Sequence, residues 1–152
     1  RALDPASIDK NAIRTAEIGA AAAKVAAMAE VRREILDLQR RFAAHPPHQC
    51  QGAVLDGRDI GTVVCPDANH KIFVTASAEI RAHRRWLELR EKNPALEEHD
   101  VLADLIARDK LDAERPIAPL KPAEDALLLD TTYLAIEEAF ETALALLKEH
   151  KA

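Results

Sequence analysis

Cysteine is scarce in this sequence, which has two among its 152 residues. Cys50 and Cys65 form no CxxC pair, and no histidine stands at ligand spacing from either, so the sequence excludes a zinc site and indicates a reducing compartment. Apolar runs are also short, and none approaches the ~20 residues of a membrane span. The N-terminal stretch RALDPASIDK lacks the apolar core of a signal peptide. We therefore expect a cytoplasmic protein.

Positive charge is not in excess either. The formal net charge is -5 and the pI is about 5.7, which argues against a general affinity for nucleic acid. Basic residues nevertheless cluster at 81–85 and around Arg108 and Arg115, and local clusters can bind phosphate. We interpret the first cluster as the solvated face of a helix whose Trp86 packs inward. The composition, 48% hydrophobic and 31% charged, is typical of one globular domain that buries roughly two-thirds of its unfolded surface.

Hydrophobic periodicity predicts a long N-terminal helix over 15–45, which the prolines of PPHQCQG end. Its apolar positions make one face, which we expect to pack inward: Ile18, Val25, Val31, Ile35, Leu38 and Phe42. Ser77 is placed to cap a helix over 78–92, with Glu79 in the first turn. Another helix starts near Asp100, with the stripe Val101, Leu102, Leu105 and Ile106. The closing helix over 131–150 has these apolar residues inward: Ile136, Phe140, Leu144 and Leu147.

Three short apolar runs are typical of strands: 53–55, 71–75 and 126–130. Continuous apolar strands separated by helical segments predict an α/β protein, with a parallel sheet flanked by helices. Ligands bind outside the carboxyl ends of such strands. Asp56, Arg58 and Asp59 fall directly after the first run, so we expect a ligand there.

Several motifs then follow one another in a recognisable order. They are IRTAEIGAAAAKVAAMAEVR, LDGRDIGTVVCPDANHKIFVTASAEIRAHRR and RD...D..R...APLKPA.DALLLDTT. Together they resemble the bacterial cytidylate kinases, which phosphorylate CMP and dCMP with ATP, from about Ile13 onwards. The resemblance implies the P-loop fold of nucleoside monophosphate kinases and the cofactors ATP and Mg²⁺. It also implies a monomer when full-length, with nucleotides as partners and neither nucleic acid nor membrane.

The resemblance covers the family's C-terminal two-thirds. The family opens with a strand and a P-loop of the type GxxxxGK[ST], whereas this sequence has four glycines and no such motif. We expect that residues upstream of Arg1 belong to the natural protein, and that the 152 residues alone are inactive. We take 1–152 as a single, partial kinase domain, with a helical CMP-binding region over 1–52. Core strands and helices follow over 53–107, the lid over 108–122, and the final strand and helix over 123–152.

Residue chemistry suggests how cytosine is recognised. Its Watson–Crick edge offers an amino donor and two acceptors, so a site that reads it needs a carboxylate and a guanidinium or amide. Asp59 and Arg32 are of these types, and the resemblance implies that both contact the base while Arg58 binds the monophosphate. From the residues alone, a surface salt bridge between Arg58 and Asp59 and a solvated Arg32 remain an alternative.

The resemblance also assigns phosphate and metal chemistry. Asp56 has the position of a Walker-B aspartate, which holds Mg²⁺ directly or through water; a turn residue at a strand end is the alternative. Arg108, Asp112 and Arg115 are spaced so that they share one face of a continuous helix. In the family this stretch is the lid, in which Arg108 and Asp112 hold the sugar and Arg115 reaches the phosphate. Arg108 and Arg115 are then the catalytic residues. A solvated charged face is the other reading.

Two positions depart from the family pattern. Ala23 stands where many relatives have a serine that helps read the cytosine amino group, so we expect weaker base discrimination. Leu111 stands where the lid usually carries another arginine, so we expect slower phosphoryl transfer.

Two other functions stay open from the sequence. One is a nucleotide-binding module without catalysis, suggested by the absent P-loop motif. The other is a helical interaction protein without a ligand, suggested by the alanine-rich amphipathic first helix. The latter predicts no pocket above the DGRD loop.

Overall fold

The computed structural model describes residues 9, 12–14, 16–26, 28–46, 50–91, 93–114 and 118–150. Contacts divide the chain into two compact units, Arg1–Val54 and Leu55–Ala152. Among the described residues, the first unit contains only helical elements, and the second contains the strands.

The helical elements of the first unit are a 3₁₀ turn (Ala12–Arg14), α1 (Ala16–Ala26) and α2 (Ala29–Ala44). The single helix predicted over 15–45 is therefore wrong. Met28 interrupts it with an extended backbone at φ -73° and ψ 121°. The backbone N–H of Arg32 then donates to the Met28 carbonyl at 2.9 Å, at the start of α2. No glycine or proline stands at the break, so local helix propensity does not predict it.

The apolar face predicted for this segment is largely exposed. Its exposed members are Ile18, Val25, Ile35, Leu38 and Phe42. The prediction that they pack inward is wrong. An apolar period of 3.6 residues identifies one face of a helix but does not identify the surface that covers it.

The second unit is built on a parallel pair of strands, β1 (Ile72–Thr75) and β2 (Leu127–Asp130). In register, Ile72 pairs with Leu127 and Thr75 pairs with Asp130. The helices of this unit are α3 (Ala78–Arg90), α4 (Glu98–Ala113) and α5 (Ile136–Glu149). Because α3 and α4 lie between the strands in sequence, they provide the long crossover that a parallel pair requires. The predicted α/β class is confirmed.

The first predicted strand, at 53–55, has no regular secondary structure, so that prediction is wrong. Val54 in this segment is 96% exposed. Downstream, Ile60–Val64 form one turn of π-helix, closed by the N–H of Cys65 donating to the Ile60 carbonyl at 2.7 Å. A strand needs a hydrogen-bonded neighbour, which an apolar run does not supply by itself.

Ser77 caps α3 as predicted. Its Oγ accepts a hydrogen bond from the N–H of Ile80 at 3.3 Å, and its own N–H donates to Thr132 Oγ1 at 2.9 Å. Glu79 lies in the first turn, where backbone and Ser77 hydrogen bonds lower the pKa of its carboxyl. These contacts hold the start of α3 beside the end of β2.

The only tryptophan of the sequence lies on α3 and contacts the connection to α4. Trp86 is half-buried, and its indole N–H donates to the carbonyl of Leu96 at 2.9 Å. The Arg90 guanidinium lies 4.5 Å from the centroid of the indole ring. On α4, Val101 is buried while Ile106 is exposed, so the predicted stripe is only partly covered.

α5 begins at Ile136 rather than at 131. The Glu138 carboxylate accepts a hydrogen bond from the N–H of Ala135 at 2.8 Å and so fixes this start. Ile136, Phe140 and Leu144 are exposed, so their predicted inward packing is wrong. The described residues contain few buried apolar side chains, and most of these are small: Val64, Ala76, Ala82, Val101, Ala118 and Leu129. None of the described helices has the length and apolar character needed to cross a membrane.

Candidate functional site

An ion pair ties the loop after Leu55 to α4. Arg58 Nη1 contacts Asp112 Oδ2, and Arg108 Nε lies 4.0 Å from the same oxygen. The side chain of Asp112 is 14% exposed, against 37% for that of Arg58. The structure therefore brings together three of the residues that the sequence assigned to substrate, from two separate segments of the chain.

A cavity of about 720 Å³ is lined in part by this loop. Its wall includes Asp56 and Arg58, Thr75 at the carboxyl end of β1, and Arg81 and Asp109 from α3 and α4. The volume falls within the about 300–1,000 Å³ that is usual for small-molecule sites. Parallel sheets bind ligands at the carboxyl ends of their strands. The reading as a ligand-free interaction protein, which predicted no pocket above this loop, does not fit this geometry.

Asp56 is the candidate metal-binding residue. It is exposed and lines the cavity close in sequence to Arg58. The described residues contain no group of three or more His, Cys, Asp or Glu side chains that could hold a metal. Mg²⁺ usually keeps several waters and binds through one or two carboxylates together with substrate phosphates. The Asp56 carboxylate, at the wall of a nucleotide-sized cavity, therefore fits magnesium.

Asp59 is half-buried where the π-turn begins. Its backbone carbonyl accepts hydrogen bonds from the N–H of Val63 at 2.9 Å and of Val64 at 3.2 Å, and from the hydroxyl of Thr62 at 3.4 Å. These bonds fix the backbone of the residue that was predicted to read the cytosine amino group.

The remaining predicted positions are not part of the contacts described above. Arg32 is half-buried on α2, in the first unit. Arg115 lies outside the described residues, as does the side chain of Ala23. Leu111 is on α4 and is 69% exposed. The roles assigned to these four positions stay predictions.

Sequence reasoning missed Arg81 and Asp109. Arg81 Nη1 donates to Asp109 Oδ2 at 2.7 Å, and Arg81 Nε donates to the carbonyl of Ala76 at 2.9 Å. Arg84 also has partners, because its Nη2 donates to the carbonyl of Thr131 at 2.7 Å. The interpretation of 81–85 as a solvated face is therefore wrong for Arg81, which is half-buried, whereas Arg84 is exposed and still hydrogen-bonded. Their spacing of three, which places them on one side of the helix, is the signal that could have found them.

Lys71 also lines the cavity, and its charge is balanced locally. Its side chain is 8% exposed, and its ammonium donates to the carbonyl of Pro66 and, at 2.5 Å, to Asp125 Oδ2. The hydrogen bond from Lys71 lowers the pKa of the Asp125 carboxyl. Lys71 is thus held as a structural ion pair at the cavity wall.

Comparison with protein families matches residues 3–149 to the family described as Cytidylate kinase. A curated cytidylate kinase of Rhodospirillum rubrum is 53% identical over 152 residues, which are 100% of this chain and 71% of the relative. That of Azorhizobium caulinodans is 53% identical over 97% of this chain and 70% of the relative. That of a Bradyrhizobium species is 49% identical over 99% and 69%.

These matches cover both units, including the DGRD loop and the segment of α4 that contacts it. Identity of about half over nearly the whole chain is consistent with the parallel strands and with the cavity along β1. The chain belongs to the cytidylate kinase family.

Proposed function

We propose that this protein transfers the γ-phosphate of ATP to CMP and dCMP. The ion pair that joins Arg58 to Asp112 beside the cavity carries the proposal. It links a residue expected to bind the acceptor phosphate with one expected to bind the sugar, so both contact points lie at one site. The relatives named cytidylate kinase support the same reaction.

The acceptor base is recognised by complementary hydrogen-bond donors and acceptors. Asp59 accepts a hydrogen bond from the cytosine amino group, and Arg32 donates to the ring nitrogen or the carbonyl oxygen. Uracil presents an acceptor at the same place as the amino group, so the carboxylate of Asp59 favours cytosine. Because Ala23 offers no hydroxyl to share that contact, we expect weaker discrimination than in relatives that have a serine there.

The acceptor phosphate and sugar meet the loop and α4. A guanidinium has five N–H donors in a planar fork. Arg58 can therefore keep its contact with Asp112 while it donates to the phosphate. Arg108 and Asp112 bind the sugar hydroxyls, and Arg115 reaches the phosphate. We propose that 108–122 act as the lid and 53–107 as the core strands and helices. The segment 1–52 is then part of a helical CMP-binding region, and 123–152 supply the last strand and helix.

The chemistry needs positioning rather than a general base. An oxygen of the CMP phosphate attacks the γ-phosphorus of ATP, and the bond from that phosphorus to the bridging oxygen of ADP breaks. Arg108 and Arg115 donate to the oxygens of the phosphoryl group in transit. Asp56 would hold Mg²⁺ through water, and the ion would neutralise charge on the ATP phosphates. Leu111 adds no cation to the lid, so we expect a slower transfer than in relatives with an arginine there.

The cysteines and the net charge bear on where the protein acts and on what it binds. Cys50 and Cys65 are both free thiols, which fits a reducing compartment, so we propose a cytoplasmic enzyme. The net charge of -5 favours small-molecule partners over nucleic acid. We propose that the enzyme acts as a monomer.

The acceptor side can be tested by calorimetric titration of the chain with CMP and with cytidine, which lacks the phosphate. A hydrogen bond to a charged group contributes about 1.5–3 kcal/mol. Arg58→Met should therefore raise the Kd of CMP by roughly tenfold to a hundredfold more than that of cytidine, because cytidine loses only the hold of Arg58 on Asp112. Arg85→Met is the matched control, because Arg85 pairs with Glu88 on the same helix. Equal losses for CMP and cytidine would contradict the role of Arg58.

The transfer itself needs a donor site. Because the GxxxxGK[ST] motif is not among these 152 residues, we expect the chain by itself to bind CMP without releasing ADP from ATP. The chain joined to the P-loop segment of the Rhodospirillum rubrum relative should release ADP in the presence of CMP. A joined protein that binds CMP but releases no ADP would favour the non-catalytic nucleotide-binding module.

A further inference from the structure

We propose that Arg81 is a positioning residue that holds α4 in place, so that Arg108 and Asp112 lie beside the loop of Arg58. The inference rests on the proposed function, because it concerns how the acceptor site is assembled. Arg81 acts through Asp109 and contacts no substrate itself.

One guanidinium makes two contacts in different directions. Arg81 Nε donates to the carbonyl of Ala76, directly after β1, at 2.9 Å. Its Nη1 donates to Asp109 Oδ2 on α4 at 2.7 Å. The two side chains are 36% and 30% exposed, so the ion pair is partly shielded from solvent. Arg81 therefore connects the end of the strand to the helix that carries the sugar-binding residues.

Asp109 lies in the part of α4 that matters for the site. It is three residues before Asp112, so the two carboxylates share one side of the helix. Asp112 is held by Arg58, and Asp109 is held by Arg81. The end of α4 is thus fixed by two arginines from two segments. While Arg58 also donates to the acceptor phosphate, the tie through Arg81 gives α4 a second hold.

Arginine is required for this double contact. A lysine ammonium is a point charge and cannot donate along two fixed directions as a planar fork does. The Arg85–Glu88 pair lies on the same helix but spans one turn, and it connects no second element. A change at Arg85 therefore removes an ion pair of the same kind without touching α4.

The test uses the 152-residue chain, with the Kd of CMP and of cytidine measured by calorimetry below the unfolding transition. Arg81→Met should raise both by about fivefold, on the order of a well-formed ion pair, since the sugar-binding residues serve both ligands. Asp109→Asn should have the same effect, and the double variant should be no worse than either single one. Arg81→Lys should lie between wild type and Arg81→Met, and Arg85→Met should match wild type.

Each other outcome overturns the inference in a distinguishable way. An Arg81→Met loss confined to CMP would make Arg81 a direct phosphate ligand instead. Unchanged affinities, or additive losses with Asp109→Asn, would mean that the tie does not position the site. If circular dichroism shows that Arg81→Met is unfolded, the Kd values of Asp109→Asn test the inference instead. That variant removes only the contact with α4 and leaves the hydrogen bond from Arg81 to Ala76. A wild-type chain that binds neither ligand, by itself or joined to the P-loop segment, refutes the proposed function, and the inference falls with it.

Discussion

Replacing Arg84 by methionine removes the contacts that tie α3 to the segment after β2. The guanidinium donates to Thr131 at Oγ1 (3.2 Å) and at the carbonyl (2.7 Å), and to the carbonyl of Leu134 at 3.2 Å. Thr131 is buried, and its hydroxyl also donates to the carbonyl of Thr75 at 3.0 Å. Methionine keeps the aliphatic stem and supplies no donor.

The magnitude follows from the groups left without a donor. An acceptor that stays buried without its partner costs about 1–3 kcal/mol. The Thr131 hydroxyl retains its bond to Thr75, so the Thr131 carbonyl bears most of the loss. We expect Arg84→Met to lower the free energy of unfolding by about 2 kcal/mol. For a chain of this size, that is a fall in Tm of roughly 4–8 °C.

Urea unfolding measures this loss with two probes, circular dichroism at 222 nm and the fluorescence of Trp86, which lies on the same helix. Arg85→Met is again the control, because its exposed pair with Glu88 at one-turn spacing is worth about 0.2–0.5 kcal/mol. An Arg84→Met effect within about 0.5 kcal/mol of the control, the range of ordinary surface substitutions, would refute the role of the guanidinium contacts.

Two further changes test the ends of α3 and β2. Ser77→Ala should lower the free energy of unfolding by about 1 kcal/mol in the same urea assay, because the N–H of Ile80 loses its acceptor, while Ser77→Asp should retain most of the cap. Hydrogen bonds from the hydroxyl and N–H of Thr132 lower the pKa of the Asp130 carboxyl. Its contribution to stability is therefore complete above the unfolded value of about 3.9 and is lost as the pH falls through the lower folded pKa. Between pH 5 and 2, the urea midpoint of wild type should fall with pH more steeply than that of Asp130→Asn, which lacks the carboxylate. Midpoints that fall in parallel for the two proteins would contradict this contribution.

Several features of the fold follow from the sequence because they depend on neighbours along the chain. The capping hydroxyl of Ser77 and the N–H of Ile80 are three residues apart, so residues close in sequence determine where α3 begins. The strands β1 and β2 were recognised from short apolar runs between helices. For the site, family motifs predicted related roles for Arg58 and Asp112, and the structure pairs their side chains.

Other features depend on partners far away in sequence, and the tertiary structure decided them. The run 53–55 is as apolar as β1, yet no strand among the described residues pairs with it to complete a hydrogen-bond ladder. Arg81 and Arg84 look like solvated charges in the sequence, but their acceptors lie on α4 and after β2. The break at Met28 has no local helix breaker. By itself the sequence determined the family and the α/β class and predicted the site residues, since these rest on residue types and short-range pattern. Tertiary packing decided which arginines form hydrogen bonds and where the helices break. Hydrogen bonds between residues far apart in sequence have no signature in local composition.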